Sequence, residues 1–244
     1  MLSLIPQASG MVLEGQRIID RGDIVDAKTY RVLYSFEQAN EKRNETKDQV
    51  TSTFLGQSLY VFILILLFTL YMALFRKDYF EKPRSISFLY ALFIIFPTIT
   101  SLMMKYNILS VYIVPFAMAA VFVRVFMDSR TAFNAYVIMI LLSAVAVRYQ
   151  YEFIVVQLVA GLIAIFSLRE LSKRSQIFLT ALLVTLGSAA VYLALQLIET
   201  DDFSKLDGTM YYHIGINGFS LLFTYLFMLI IEKLFGFIST VTMF

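Results

Sequence analysis

The chain has 244 residues, 59% of them hydrophobic and 16% charged, with a mean hydropathy of +0.74. Soluble globular chains sit nearer roughly 45–50% apolar and about 25% charged, so this composition is that of an integral membrane protein. The net charge of +2 leaves no footprint for nucleic acid, and the absence of cysteine excludes disulfides, thiol chemistry and cysteine metal sites.

The opening stretch MLSLIPQASGMVLEGQ has no basic region and is interrupted by Pro6, Gln7 and Ser9, so it does not read as a secretory signal. An upstream segment is expected to deliver it across the membrane. Residues 1–53 are polar. Around Gly15 and Gly22, Ile18, Ile19, Ile24 and Val25 alternate with charges, which predicts two short strands joined at a glycine turn. The triplet Arg21-Gly22-Asp23 resembles an adhesion motif, but the turn accounts for it. From Ala27 the spacing of Tyr30, Leu33, Tyr34 and Phe36 predicts a helix that runs on into the membrane.

Seven apolar runs follow, each long enough to be read as a span of about 30 Å of hydrocarbon: Phe54–Phe75, Ile86–Met104, Ile108–Met127, Thr131–Val147, Glu152–Leu168, Gln176–Ile198 and Tyr212–Phe235. The predicted fold is therefore an all-α integral membrane protein. It comprises a seven-helix transmembrane bundle over residues 54–235, a small extracellular strand and helix segment at 1–53, and the start of a linker at 236–244. Basic residues orient it. One set of connections carries ten (Arg76, Lys77, Lys82, Arg84, Arg124, Arg130, Arg169, Lys173, Arg174 and Lys233), the other only three (Lys105, Arg148 and Lys205). The N-terminal segment is expected outside and the C-terminus inside.

Polar groups at membrane depth are functional candidates by default. Asn134, Ser143, Gln157, Gln196 and Asn217 fall within the runs, and Lys105, Arg148 and Glu152 lie at their outer ends. Two readings stay open. Lys105, Arg148, Glu152, Gln157, Gln196, His213 and Asn217 line an outward-facing vestibule for a ligand, or the polar groups bond helix to helix. His213, the sole histidine, sits beside Tyr211 and Tyr212, either as an interfacial side chain or as a ligand contact. Pro97 and Pro115 are expected to kink the second and third runs. Gly187, Ser188, Ala189 and Ala190 favour close helix approach. No run carries a carboxylate at its middle, which argues against a proton or ion pathway. No phosphate loop, GxSxG, HExxH or CxxC motif occurs, so no catalytic residue and no metal site is assigned.

Three stretches carry a resemblance. GMVLEGQRIIDRGDIVDAKTYRVLYS resembles the membrane-proximal end of the extracellular domain of the bacterial seven-transmembrane receptors with an HD hydrolase, which are cyclic di-AMP phosphodiesterase-like. Gly10, Met11, Val12, Gly15, Arg17, Ile18, Ile19, Arg21, Gly22 and Val25 fit, while Gln16 stands where an acidic residue is usual. AGLIAIFSLRELSKRSQIFLTAL, with its basic loop, is similar to the same family. So is IIEKLFGFIST, through Glu232, Phe235, Gly236 and Thr240.

The resemblance implies a protein of the bacterial cytoplasmic membrane whose last helix delivers an HD phosphohydrolase just past Phe244. That domain would carry the His and Asp ligands of a divalent metal, leaving no cofactor and no catalysis to these residues. It also implies that most of an extracellular domain precedes them. The expected function is that of a transmembrane sensor. An outside or in-membrane ligand is the input, received through a rigid helix over Ala27–Phe75, and the output leaves through Tyr212–Phe244. The partners are then the lipid bilayer and the hydrolase. A small-solute transporter or permease is the alternative, and a purely structural anchor is a third reading.

Overall fold

The structure, a computed structural model, describes residues 18–19, 24–44, 47–106, 109–168, 175–200 and 208–237. The chain divides into two compact units, residues 1–59 and 60–244. Among the described residues every regular element is a helix. The predicted N-terminal strands fall largely outside the described residues. Ile18, Ile19, Ile24 and Val25 are described, and they are irregular.

The first unit holds α1 (Ala27–Asn44) and the start of α2 (Lys47–Phe75). Asp26 begins α1, its side chain accepting from the amide of Thr29 at 2.7 Å, which satisfies one of the amides a helix start leaves free. Tyr30 and Tyr34, one turn apart, stack with ring centroids 6.4 Å apart and remain exposed. Residues 45 and 46 lie outside the described residues, so the expected single helix from Ala27 to Phe75 is described as two.

The second unit continues α2 and adds α3 (Lys77–Phe80), α4 (Pro83–Tyr106), a 3-10 turn (Val111–Ile113), α5 (Phe116–Phe126), α6 (Ser129–Ala144), α7 (Gln150–Ser167), α8 (Ser175–Thr200), α9 (Thr209–Leu221) and α10 (Thr224–Phe235). Among the described residues four helices are long and apolar enough to cross a membrane: Thr51–Phe75, Pro83–Tyr106, Gln150–Ser167 and Gln176–Ile198. Counting the bent pair α9 and α10 as one span makes five. Val111–Phe126 and Ser129–Ala144 are apolar but shorter.

Each spanning helix shows one narrow stripe to its neighbours and the rest to lipid. Within the described part of α2, residues 51–75, only Leu64, Phe68 and Met72 are buried, at intervals of four, while Phe62, Leu66, Leu67, Leu70 and Leu74 are exposed. An exposed leucine is costly in water and neutral in hydrocarbon. The stripe is therefore held by van der Waals fit rather than by a hydrophobic drive between helices. α5 is different. All eight residues from Phe116 to Val123 are buried, because α4, α6, α7 and α10 pack around it. An all-apolar helix that is buried on every side is a core helix.

Close approach is achieved with small residues. A Cβ on Gly161 of α7 would lie 1.8 Å from the Tyr136 ring of α6, and one on Gly187 of α8 would lie 2.1 Å from Ile163 of α7. Tyr136 uses the space to donate its hydroxyl to the Gln157 carbonyl at 2.8 Å.

Two predicted features are corrected. Pro115 does not kink a continuous third span. It separates the 3-10 turn from α5, with Phe116 N bonding the Val114 carbonyl across it at 2.8 Å. This is an inverse γ-turn, which suits a residue at φ −79° and ψ 70°. Pro97, by contrast, stays inside α4. Nor is the run Tyr212–Phe235 a single helix: it is divided between α9 and α10, which meet at 50°. Leu222 and Phe223 donate to the carbonyls of Phe219 and Ser220, a tightened i to i−3 turn. The hydroxyls of Ser220 and Thr224 bond carbonyls of the same stretch, Ile216 and Leu221. Hydroxyls that bond back along a helix bend it.

Candidate functional site

The irregular backbone between Ser110 and Pro115 is the centre of the site. Ser110 starts the 3-10 turn, its hydroxyl accepting from Tyr112 N at 3.4 Å. The backbone before Pro115 is not α-helical, and the Val114 carbonyl already accepts from Phe116 N. The α9 residue Asn217 adds a tertiary donor: its amide donates to the Tyr112 carbonyl at 2.9 Å and the Val114 carbonyl at 2.8 Å. Non-helical backbone at membrane depth is tolerated where protein buries and satisfies it, and Tyr112 and Val114 are each 6% exposed.

The Tyr112 side chain extends the network. Its hydroxyl donates to Glu152 Oε1 at 2.7 Å. Glu152 stands in the first turn of α7, where a helix start favours a negative charge. The Tyr112 ring lies 6.2 Å from that of Tyr192 and 6.3 Å from that of Phe153. Tyr192 in turn meets Tyr211 edge to face at 5.5 Å. Gln196 joins the last pair, donating to the Tyr192 hydroxyl at 3.1 Å and accepting from that of Tyr211 at 3.2 Å. The result is a satisfied polar and aromatic cluster linking the 3-10 turn, α7, α8 and α9.

Of the seven residues predicted for the vestibule, the structure joins three, Glu152, Gln196 and Asn217, through the tyrosines. Gln157 is buried on α7 and takes part through its carbonyl. Lys105 lies over the ring of Tyr106 at 5.6 Å, and both Lys105 and Arg148 are exposed. Among the described residues neither forms an ion pair. His213 packs its ring 6.0 Å from Tyr212, and its Nδ1 is buried without a hydrogen-bond partner among the described residues. The helix-to-helix bonding reading fits the joined residues. Sequence reasoning missed Tyr112, Tyr192 and Tyr211, although tyrosines at span ends in a chain without tryptophan are the signal that points to them.

A second cluster was also missed, at the opposite end of α4 and α7. Arg76, just past α2, pairs with Asp128 at 2.5 Å, donates to the Thr131 hydroxyl at 3.1 Å and lies 5.0 Å from the Tyr79 ring. Asp128 also caps α6 by accepting from the amides of Arg130 and Thr131. Burial works against the Arg76 charge, but Asp128 and Asp78 outweigh it and hold the guanidinium pKa above its ordinary value.

At this same end Gly236 closes α10 in the left-handed region, at φ 67°. Arg84 donates to its carbonyl at 3.3 Å. The rings of Phe88, Phe126, Phe235 and Phe237 gather beside it, Phe126 and Phe237 stacked at 4.9 Å. The predicted output helix thus ends at Phe235.

A hydrolytic metal centre needs several converging ligands. Among the described residues no group of three or more His, Cys, Asp or Glu side chains is placed to hold a metal ion.

Helices with lipid-facing apolar surfaces, packed about a buried core helix, define a multi-pass membrane protein. The family described as 7TM receptor with intracellular HD hydrolase matches residues 51–239, and the chain belongs to that family. Among curated proteins it is similar to the cyclic-di-AMP phosphodiesterase PgpH of Bacillus subtilis (strain 168), 25% identical over 231 residues. That match covers 86% of this chain and 30% of the relative, so the chain spans about a third of the relative's length. No solved structure matches it.

Proposed function

We propose that these residues form the sensor and signal-transmitting membrane region of an HD-type phosphohydrolase that acts on cyclic di-AMP. The observation that carries the reading is the family match over residues 51–239. The relative is a cyclic-di-AMP phosphodiesterase by name, and the substrate is proposed by analogy with it. Seven spans, with the Tyr112 cluster outside and Gly236 inside the cytoplasmic membrane, fit the bias of basic residues towards the connections that hold Arg76 and Lys233. Residues 1–53 are then the membrane-proximal part of an extracellular region. Residues 236–244 begin the linker to the hydrolase, which would hold the divalent metal. An outside or in-membrane ligand would act by binding two arrangements of the bundle with different affinity.

The test uses the full-length protein in nanodiscs, with hydrolysis of cyclic di-AMP as readout. Asn217→Leu, which removes the α9 donor to the Tyr112 and Val114 carbonyls, should change the rate while leaving the isolated hydrolase domain's rate untouched. A full-length protein that does not hydrolyse cyclic di-AMP, or whose rate is indifferent to every change in the membrane region, would overturn it.

The two interrupted spans, at Pro115 and at Leu222 and Phe223, favour a second reading, since transporters use discontinuous helices at their sites. Solute flux into liposomes containing this chain alone would support a transporter and count against a pure sensor.

A further inference from the structure

We infer that the groove between α2, α6 and α7 is a binding site for one anionic phospholipid. It has a volume of about 480 Å³ and is walled by Tyr71, Phe133, Leu162 and Phe166, with Ser129 and Arg130 at its polar end. Phe133 is 41% and Phe166 68% exposed. These faces belong to helices among or beside the spanning ones, so the groove opens sideways to hydrocarbon. An acyl chain is the occupant that such a wall accepts.

The polar end selects the headgroup. It lies at the start of α6, beside the Arg76–Asp128 pair, where the chain leaves the apolar layer. The carboxylate of Asp128 is already committed to Arg76 and to the amides of Arg130 and Thr131. Asn134 is committed too, donating to the Arg130 carbonyl at 2.9 Å. The Arg130 guanidinium forms no ion pair among the described residues and is exposed. A fixed cation above a lipid-sized apolar slot, with the Ser129 hydroxyl beside it, complements a phosphate ester that carries net negative charge. A zwitterionic headgroup brings its own cation to the same place and gains less. The site does not rest on the signalling reading: a transporter or an anchor would hold the same lipid.

The test is lipid retention by the purified chain, in nanodiscs that contain phosphatidylglycerol and phosphatidylcholine in equal amounts, followed by native mass spectrometry. Phosphatidylglycerol should be retained roughly fivefold over phosphatidylcholine, the scale of one cation near an anionic surface. Arg130→Gln should bring the ratio close to one, and Arg130→Lys should keep much of it. Leu162→Trp, which fills the slot, should lower retention of both lipids. Cross-linking of a photoactivatable phosphatidylglycerol to the unaltered chain needs no variant to fold, and its adducts should map to Phe133, Leu162 or Phe166. Equal retention of the two lipids, a preference that survives Arg130→Gln, or adducts confined to other helices would each overturn the assignment.

Discussion

The side-chain amide of Asn217 reaches the carbonyl of Tyr112 at 2.9 Å and, with its second hydrogen, the Val114 carbonyl at 2.8 Å. One residue of α9 thereby completes the backbone of a segment more than a hundred positions earlier in the chain. The bond pair ties the irregular backbone before Pro115 to α9.

Asn217→Leu should therefore destabilise the bundle by about 1–3 kcal/mol, the loss of two buried hydrogen bonds of roughly 0.5–1.5 kcal/mol each. Asn217→Asp should be at least as harmful, since a carboxylate brings no donor and faces two carbonyl oxygens. Unfolding in mixed micelles monitored by circular dichroism measures both. A mild Asp variant beside a harmful Leu variant would show that size, not donation, matters here.

Gly161→Ala places a methyl 1.8 Å from the Tyr136 ring, which is buried and held by its bond to the Gln157 carbonyl. Overpacking of this kind costs roughly 1–3 kcal/mol. Gly215→Ala, in α9 with nothing within 4 Å, should be neutral or slightly stabilising. Thermal midpoints of the two variants in one detergent give the comparison, and equal midpoints would refute the packing account.

Asp128 has two tasks, pairing with Arg76 and capping α6. Asp128→Asn keeps an N-cap oxygen and loses the charge, whereas Asp128→Ala loses both. The Asn variant should cost up to about 1 kcal/mol, because the pair is partly exposed. The Ala variant should cost about 1 kcal/mol more, the worth of a cap. In an Arg76→Gln background the Asn penalty should shrink while the extra Ala penalty persists. A double-mutant cycle separates the two tasks.

Gly236→Ala forces a side chain into the left-handed region at φ 67° and within 3.0 Å of Arg84. It should destabilise by roughly 1–2 kcal/mol, and Gly236→Asn should be milder because asparagine tolerates that region. Arg84→Ala in the same background removes the crowding but not the backbone strain. Improvement to the level of the unaltered chain would place the whole cost in crowding.

Hydropathy made the helical fold legible, since each apolar run overlaps at least one helix of the structure. The interruptions were harder to read. Pro97 and Pro115 look alike in a run of apolar residues, yet Pro97 lies inside a helix while Pro115 stands just before the start of one. The Tyr112 and Val114 carbonyls before it accept from Asn217, a tertiary partner no local window contains. The bend between α9 and α10 has neither proline nor glycine at its turn. It comes from tightened backbone bonds and two hydroxyls, Ser220 and Thr224, which composition counts as ordinary polar residues. At the candidate site, Glu152, Gln196 and Asn217 stood out as polar groups in apolar runs. The tyrosines that join them did not, because half of each ring behaves as apolar and the hydroxyl finds its partner only after the helices pack.

The end of α10 is fastened at two kinds of point, the Arg84 bond to the Gly236 carbonyl and the wedge of Phe237 against Phe88 and Phe126. A fastening of this kind behaves as a latch rather than a spring. Small displacements of α10 are resisted by close-packed rings, and a larger one must release the aromatic wedge and the arginine together. Motion of α10 would then pass between a seated and an unseated position, and under the signalling role proposed above a graded stimulus on the far side of the bilayer would emerge here as a change in how often the latch is open.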